Sequence, residues 1–229
     1  DPKKTYFLVD TIHAKLMYKE ACRVAKRITF STAKATFGFT NETNIGSIFY
    51  TAMQSVPAFL PSILKGKNIP CLIPYAIDQD AHFRIARDVL PKLGYYKPAA
   101  IHSKFVPSLG AGLKMSASEP QSCIFTTDTQ KEIEKKIMNA FTGGGATVEE
   151  QKKKGGKPEV CSVYQYYYFL FEKDDKKLKE IYESCKSGKR ICGDCKRILA
   201  ERVKQFIAEH QKKREKAREI IDKFMLKVE

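Results

Sequence analysis

The chain has no acidic surplus, no basic tail, no disulfide framework and no unbroken apolar span. Against 41 Lys and Arg stand only 26 Asp and Glu, a net charge of +15, which excludes an acidic solubilising protein. No single tail carries the excess, because residues 1–121 hold 16 basic and 8 acidic side chains and residues 122–229 hold 25 and 18. A diffuse positive field on a folded body is what a polyphosphate partner favours. Seven cysteines without framework spacing imply reduced thiols in a cytoplasmic protein. Cys192 and Cys195 have metal-type spacing, but no second C-x-x-C or nearby Cys/His pair completes four zinc ligands. The cysteines are therefore expected as packed or surface thiols, and no metal-ligating set is assigned. No targeting segment is visible after Asp1-Pro2-Lys3-Lys4, and the chain is expected to be a fragment. Thr43 to Leu64 is long enough to cross a bilayer, but Asn44, Gln54, Pro57 and Pro61 interrupt it. It reads as buried helix and turn, with no membrane partner.

What is present is a core. With 43% hydrophobic and 11% aromatic residues in 229, the chain can build one large domain or two modest ones. Lys4 to Val9 reads as a short buried strand, and Lys15 to Arg27 as a helix with Leu16, Ala21, Val24, Ala25 and Ile28 on one face. A helical pair follows over Ser31–Phe37 and Asn44–Ser55. Ile69 to Pro74 and Pro98 to Val106 read as strands flanking a helix from Asp78 to Leu93 that Gly94 ends. Strand, helix, strand predicts a parallel sheet with crossover helices, and ligands gather at the carboxyl ends of such strands. After Phe125 the pattern is helical to Met225, with capping-box signals at Thr129-x-x-Glu132 and Thr147-x-x-Glu150. The last helix is expected from Ile191 to Met225, with Phe206, Ile207, Ile220, Ile221 and Phe224 as its apolar stripe and Lys212, Lys213, Arg214, Lys216 and Arg218 off it. Those basic residues read as a solvated face or an RNA phosphate contact.

The chemistry-bearing segment is Lys114-Met115-Ser116-Ala117-Ser118, preceded by Gly110, Ala111 and Gly112. Small residues let a loop swing, and a lysine with two hydroxyls suits a triphosphate whose leaving group gains charge during reaction. Gly143–Gly145 is a weak phosphate-loop candidate, since no Gly-Lys-Ser/Thr follows.

The loop resembles the Lys-Met-Ser-Lys-Ser signature of class I aminoacyl-tRNA synthetases, and its alanine variant resembles the eukaryotic and archaeal tryptophanyl-tRNA synthetase family. Phe37-Gly38-Phe39, Met53-Gln54-Ser55-Val56-Pro57, Cys71 to Asp80, Arg87-Asp88-Val89 and Ile207-Ala208-Glu209-His210-Gln211 carry the resemblance further. It implies an α/β fold: the carboxyl-terminal part of a Rossmann-like parallel-sheet domain over 1–125, then an all-helical anticodon-binding domain over 126–229. It further implies ATP-dependent activation of tryptophan to the adenylate, with Mg²⁺, and transfer to tRNA(Trp) by a cytoplasmic homodimer. The Thr43–Leu64 segment is the candidate for the dimer contact. In the family, the positions of Lys114, Ser116 and Ser118 stabilise ATP phosphates and the backbone near Met115 touches adenine. Asp78 matches a carboxylate beside the ribose, and Gln54 and Gln79 match glutamines that hold the amino acid's ammonium and carboxylate. Taken alone, Asp78 reads equally as a helix N-cap. Ala117 leaves one lysine fewer than the class pattern, placing more of the task on Lys114.

Two departures stand out. Thr11-Ile12-His13-Ala14 lacks the glycine and second histidine of the other class I signature, which is expected upstream, so residues 1–229 alone are expected to be inactive. Where eukaryotic relatives have Gly-Gly-Arg-Asp-Thr, this chain has Gly143-Gly144-Gly145-Ala146-Thr147, removing a charged pair that would contact the anticodon. The alternatives are a tyrosyl-tRNA synthetase and a noncatalytic tRNA-binding fragment.

Overall fold

Residues 4–112 and 114–227 are described by the computed structural model. They divide between Lys104 and Phe105 into two units, the residues from Asp222 onward returning to the first. Residues 105–125, which the sequence reading grouped with the sheet, thus belong to the helical unit.

In the first unit, α1 (Ala14–Ala25) buries Met17, Ala21 and Val24 at i, i+4 and i+7. Buried His13 precedes it; its Nε2 donates to Leu226 O at 2.7 Å, and its Nδ1 accepts from Val9 N–H at 3.0 Å in the matching tautomer. The histidine of the decoy signature is therefore a structural tie. Thr29 Oγ1 caps α2 (Phe30–Phe37) by accepting from Thr32 N–H, and Gly38, at φ 69°, ends it. Asn44 caps α3 (Ile45–Met53) in the same way. Pro57 and Pro61 stand in the opening turns of a short 3₁₀ segment and of α4 (Leu60–Leu64), where a missing N–H costs nothing. Thr43–Leu64 is thus helix and turn, most of it in the core around Val56, Phe59 and Leu90.

Strand β1 (Leu72–Ala76) pairs in parallel with β2 (Ala99–Ser103), Leu72 opposite Ala99 through Ala76 opposite Ser103. A parallel pair needs a crossover, supplied by α5 (Asp80–Val89), which buries Phe83, Ile85, Ala86 and Val89. The turn after it ends at Gly94 in the left-handed region. Among the described residues the sheet has these two strands. The strand expected over Lys4–Val9 is absent: Phe7 makes one isolated parallel bridge to Met225, and Lys4 to Phe7 are exposed. A period-2 apolar pattern there found no neighbouring strand along its length.

The second unit opens its helices with a full capping box: Thr129 Oγ1 accepts from Glu132 N–H, and the Glu132 carboxylate accepts from Thr129 N–H, at the start of α6 (Gln130–Met138). Beneath it, buried Asp128 accepts from Lys136 Nζ at 2.6 Å and from Phe125 N–H at 2.9 Å. Thr147 caps α7 (Val148–Lys154), whose Glu150 reaches back to Ala146 N–H. The glycine run before it is a packing feature: Gly143 O accepts from Lys157 N–H at 2.7 Å, and a Cβ on Gly143 would lie 2.0 Å from Lys157 O. Then follow α8 (Ser162–Tyr166), a π turn over Tyr167–Phe171, α9 (Asp175–Lys186) and α10 (Cys192–Arg218). Ile133, Ile137, Tyr167, Leu199 and Val203 form the core.

The last helix differs from the expected one. It stops at Arg218, and of the expected stripe only Ile207 is buried, whereas Phe206, Ile220 and Ile221 are exposed. The buried face is Leu199, Ala200, Val203 and Ile207. Beyond it, Lys212 to Ile220 is exposed on all sides.

Candidate active site

The carboxyl end of β1 runs into a 3₁₀ turn, Ile77–Gln79, and then α5. That turn brings Gln79 against α3: Gln54 Nε2 donates to Gln79 Oε1 at 3.1 Å, both side chains half-buried. The two glutamines named from the sequence, 25 residues apart, are thus one pair. Asp78 is exposed at the same turn. The N-cap of α5 is Gln79, with no side-chain cap bond, so Asp78 is not spent as a helix cap. Its charge acts on His82 one turn later, against the burial that holds His82 below its ordinary pKa.

Three further groups surround this corner that sequence reasoning missed. Tyr75 on β1 donates from its hydroxyl to Asp80 Oδ1 at 3.1 Å, and His102 Nε2 stands 2.9 Å from the Tyr75 oxygen and 3.2 Å from Asp80 Oδ1. Burial, aided by Asp80, pushes the Tyr75 phenol up, so it remains a donor. His82 packs on Phe37 and edge-on to Tyr50, with ring centroids 4.6 and 5.6 Å away. Its Nδ1 is buried without a hydrogen-bond partner. These rings, with Phe39, Asn44 and Ser47, line an open groove. Register was the available signal for His102, which sits directly across the ladder from Tyr75.

The loop belongs to the second unit. Ser116 is held on both sides of its backbone by buried Ser122, whose Oγ accepts from Ser116 N–H and donates to Ser116 O, both at 3.1 Å. The Ser116 and Ser118 hydroxyls are 2.7 Å apart. Met115 is anchored by the Tyr166 hydroxyl, 3.4 Å from its sulfur, and Gly110 O accepts from Ser162 Oγ at 3.0 Å. Lys114 is exposed, with Nζ 4.5 Å over the centre of the Phe105 ring. The arrangement presents an ammonium and a hydroxyl pair from a stapled backbone, a donor set suited to phosphate oxygens. Among the described residues no three His, Cys, Asp or Glu side chains are grouped to hold one metal ion. No described helix is long and apolar enough to cross a membrane.

A family model described as tRNA synthetases class I (W and Y) matches residues 13–208, and the chain belongs to that family. Within it, similarity runs to the tryptophanyl members. The chain is 51% identical over 225 residues to the tryptophan–tRNA ligase of Pyrobaculum calidifontis, covering 98% of this chain and 60% of the relative. With that of Pyrococcus abyssi it shares 49% over 226 residues, covering 98% and 57%. The crystal structure of tryptophanyl-tRNA synthetase from Aeropyrum pernix matches with a TM-score of 0.88 at 35% identity, over 99% of this chain and 62% of that one. The Plasmodium falciparum enzyme matches with 0.85 at 37%, over 99% and 61%. A tyrosyl-tRNA synthetase from Aeropyrum pernix shares the fold at a TM-score of 0.64 and 24% identity. The chain spans about 60% of the length of these tryptophanyl relatives.

Proposed function

We propose that this chain is the part of a tryptophan–tRNA ligase that supplies half of the adenylate-forming site and the tRNA-binding module. The observation that carries the reading is the Gln54–Gln79 amide pair beside exposed Asp78 at the carboxyl end of a parallel strand. An amide offers donor and acceptor together, so the pair orients the ammonium and carboxylate of tryptophan without adding net charge. Asp78 accepts from the vicinal hydroxyls of the ATP ribose. The loop supplies Lys114 and the Ser116 and Ser118 hydroxyls to the phosphates, while backbone near Met115 meets adenine. As the tryptophan carboxylate attacks the α-phosphorus in line, charge builds on the departing pyrophosphate, and Lys114 stabilises it there.

With no acidic cage among the described residues, Mg²⁺ enters with the triphosphate, held by phosphate oxygens and water; it neutralises phosphate charge. The adenylate is then passed to tRNA(Trp), whose backbone meets the exposed basic end of α10, Lys212 to Arg218. The functional domains are 1–125 and 126–229, in a cytoplasmic homodimer whose contact includes exposed Ile45 and Tyr50 of the Thr43–Leu64 segment.

Tryptophan-dependent ATP–pyrophosphate exchange by the longer protein containing this chain tests the reading. Exchange with tryptophan and not tyrosine is the expected result. Exchange with tyrosine, or none with either, overturns it.

A further inference from the structure

Four of the five cysteines in the second unit meet around one pocket. Cys161 immediately precedes α8, Cys185 lies in the last turn of α9, and Cys192 and Cys195 sit one turn apart at the start of α10. All four line the same cavity with Val163 and Ile181. In sequence they are separated by 23, 6 and 2 residues, a pattern with no second C-x-x-C; the fold, through three separate backbone segments, gathers them. All four are free thiols. The glycine run is pressed onto the cluster, since a Cβ on Gly144 would lie 2.5 Å from Cys192 Sγ.

A cluster made only for packing would gain nothing from four sulfurs. Burial pushes the Cys185 thiol up to about 11, and the charges of Cys161, Cys192 and Cys195 push it the same way; Cys195 is likewise raised. Four mutually repelling, half-desolvated thiols are a poor apolar core and a good ligand set for a thiophilic cation, which binds them as thiolates and cancels the repulsion. A compensating positive charge is already in place: Arg190 Nη1 stands 4.0 Å from Cys195 Sγ, with its Nε held by Ser184 Oγ at 3.0 Å. The thiols frame a space rather than a point, since no three are grouped tightly enough for one ion. A zinc ion draws them inward, whereas an iron–sulfur cluster is held from its corners.

We propose that Cys161, Cys185, Cys192 and Cys195 form a four-thiolate site for a soft metal centre, a zinc ion or an iron–sulfur cluster, that ties α8, α9 and α10 together. The proposal is independent of the aminoacylation reading.

The test is metal and acid-labile sulfide analysis of the protein purified without oxygen, after supply of zinc in one arm and of iron with sulfide in the other. About one zinc per chain, or about four irons and four sulfides with visible sulfur-to-iron absorption, is expected. Retention should fall at least about tenfold in the Cys185→Ser/Cys192→Ser variant and be unchanged in Cys22→Ser. Should the double variant not fold, alkylation of the unaltered protein decides. Metal must protect Cys161, Cys185, Cys192 and Cys195 while Cys22 labels equally with and without it, and removing the metal must lower the melting temperature. No retained metal in either arm, equal retention in the double variant, or metal-independent labelling overturns the proposal.

Discussion

Gln54 Nε2 donates to Gln79 Oε1 at 3.1 Å, joining α3 to the turn that follows β1. Because each amide leaves further donor and acceptor capacity toward solvent, the pair is built to receive a zwitterion. In the longer protein, Gln54→Ala is expected to raise KM for tryptophan about 10- to 100-fold, the scale of a lost hydrogen bond to a charged group. Exchange kinetics check this; an unchanged KM with a lowered melting temperature would make the pair merely structural.

Lys114→Ala should slow adenylate formation about 10²–10³-fold, the cost of one charge-stabilising donor. Because Lys114 is exposed, stability should not change. Exchange rates with a parallel melt separate the two effects.

The buried pair of Asp128 and Lys136, at 2.6 Å and with side chains 8% and 7% exposed, gives a stability prediction. Asp128→Ala strands a buried ammonium over the Phe125 ring and leaves Phe125 N–H unpaired. A loss of about 3–5 kcal/mol in urea unfolding is expected. The apolar double variant Asp128→Leu/Lys136→Met should recover much of it.

Gly155 holds φ at +73°, and a Cβ there would lie 1.8 Å from Lys186 O. Gly155→Ala adds left-handed strain to a backbone clash and should cost at least about 2 kcal/mol. Gly193→Ala, with open space around its Cβ position, should be neutral or slightly stabilising.

His82 is held below its ordinary pKa mainly by burial, with the Asp78 charge opposing. The unfolded chain therefore takes up a proton at higher pH than the folded one. Stability from this group is present above about pH 6.5 and declines as pH falls below it. His82→Phe should flatten the acid side of a melting-temperature profile between about pH 7 and 5; an unaltered slope would remove His82 from the titration.

Helices were legible where periodicity and caps agreed. Thr29, Asn44, Thr129 and Thr147 each cap the helix they precede. The strand at Leu72–Ala76 was placed a few residues early, because Ile69 and Pro70 continue the apolar run without joining the ladder. Ile220 and Ile221 looked like a stripe but follow the end of α10, where Glu219 caps it. The site was legible as a resemblance: Gln54 and Gln79 were named, while Tyr75 and His102 were not, since their meeting depends on register across the ladder. The cysteine pocket was illegible because its spacing spans two whole helices.

The pairing of Phe7 with Met225, and of His13 with Leu226, has a bearing on how the molecule is made. The unit begun first during translation receives its closing contacts last, so on the ribosome the helical body completes itself while its predecessor waits. Clipping a handful of carboxyl-terminal residues would accordingly loosen the oldest part of the nascent chain and spare the youngest.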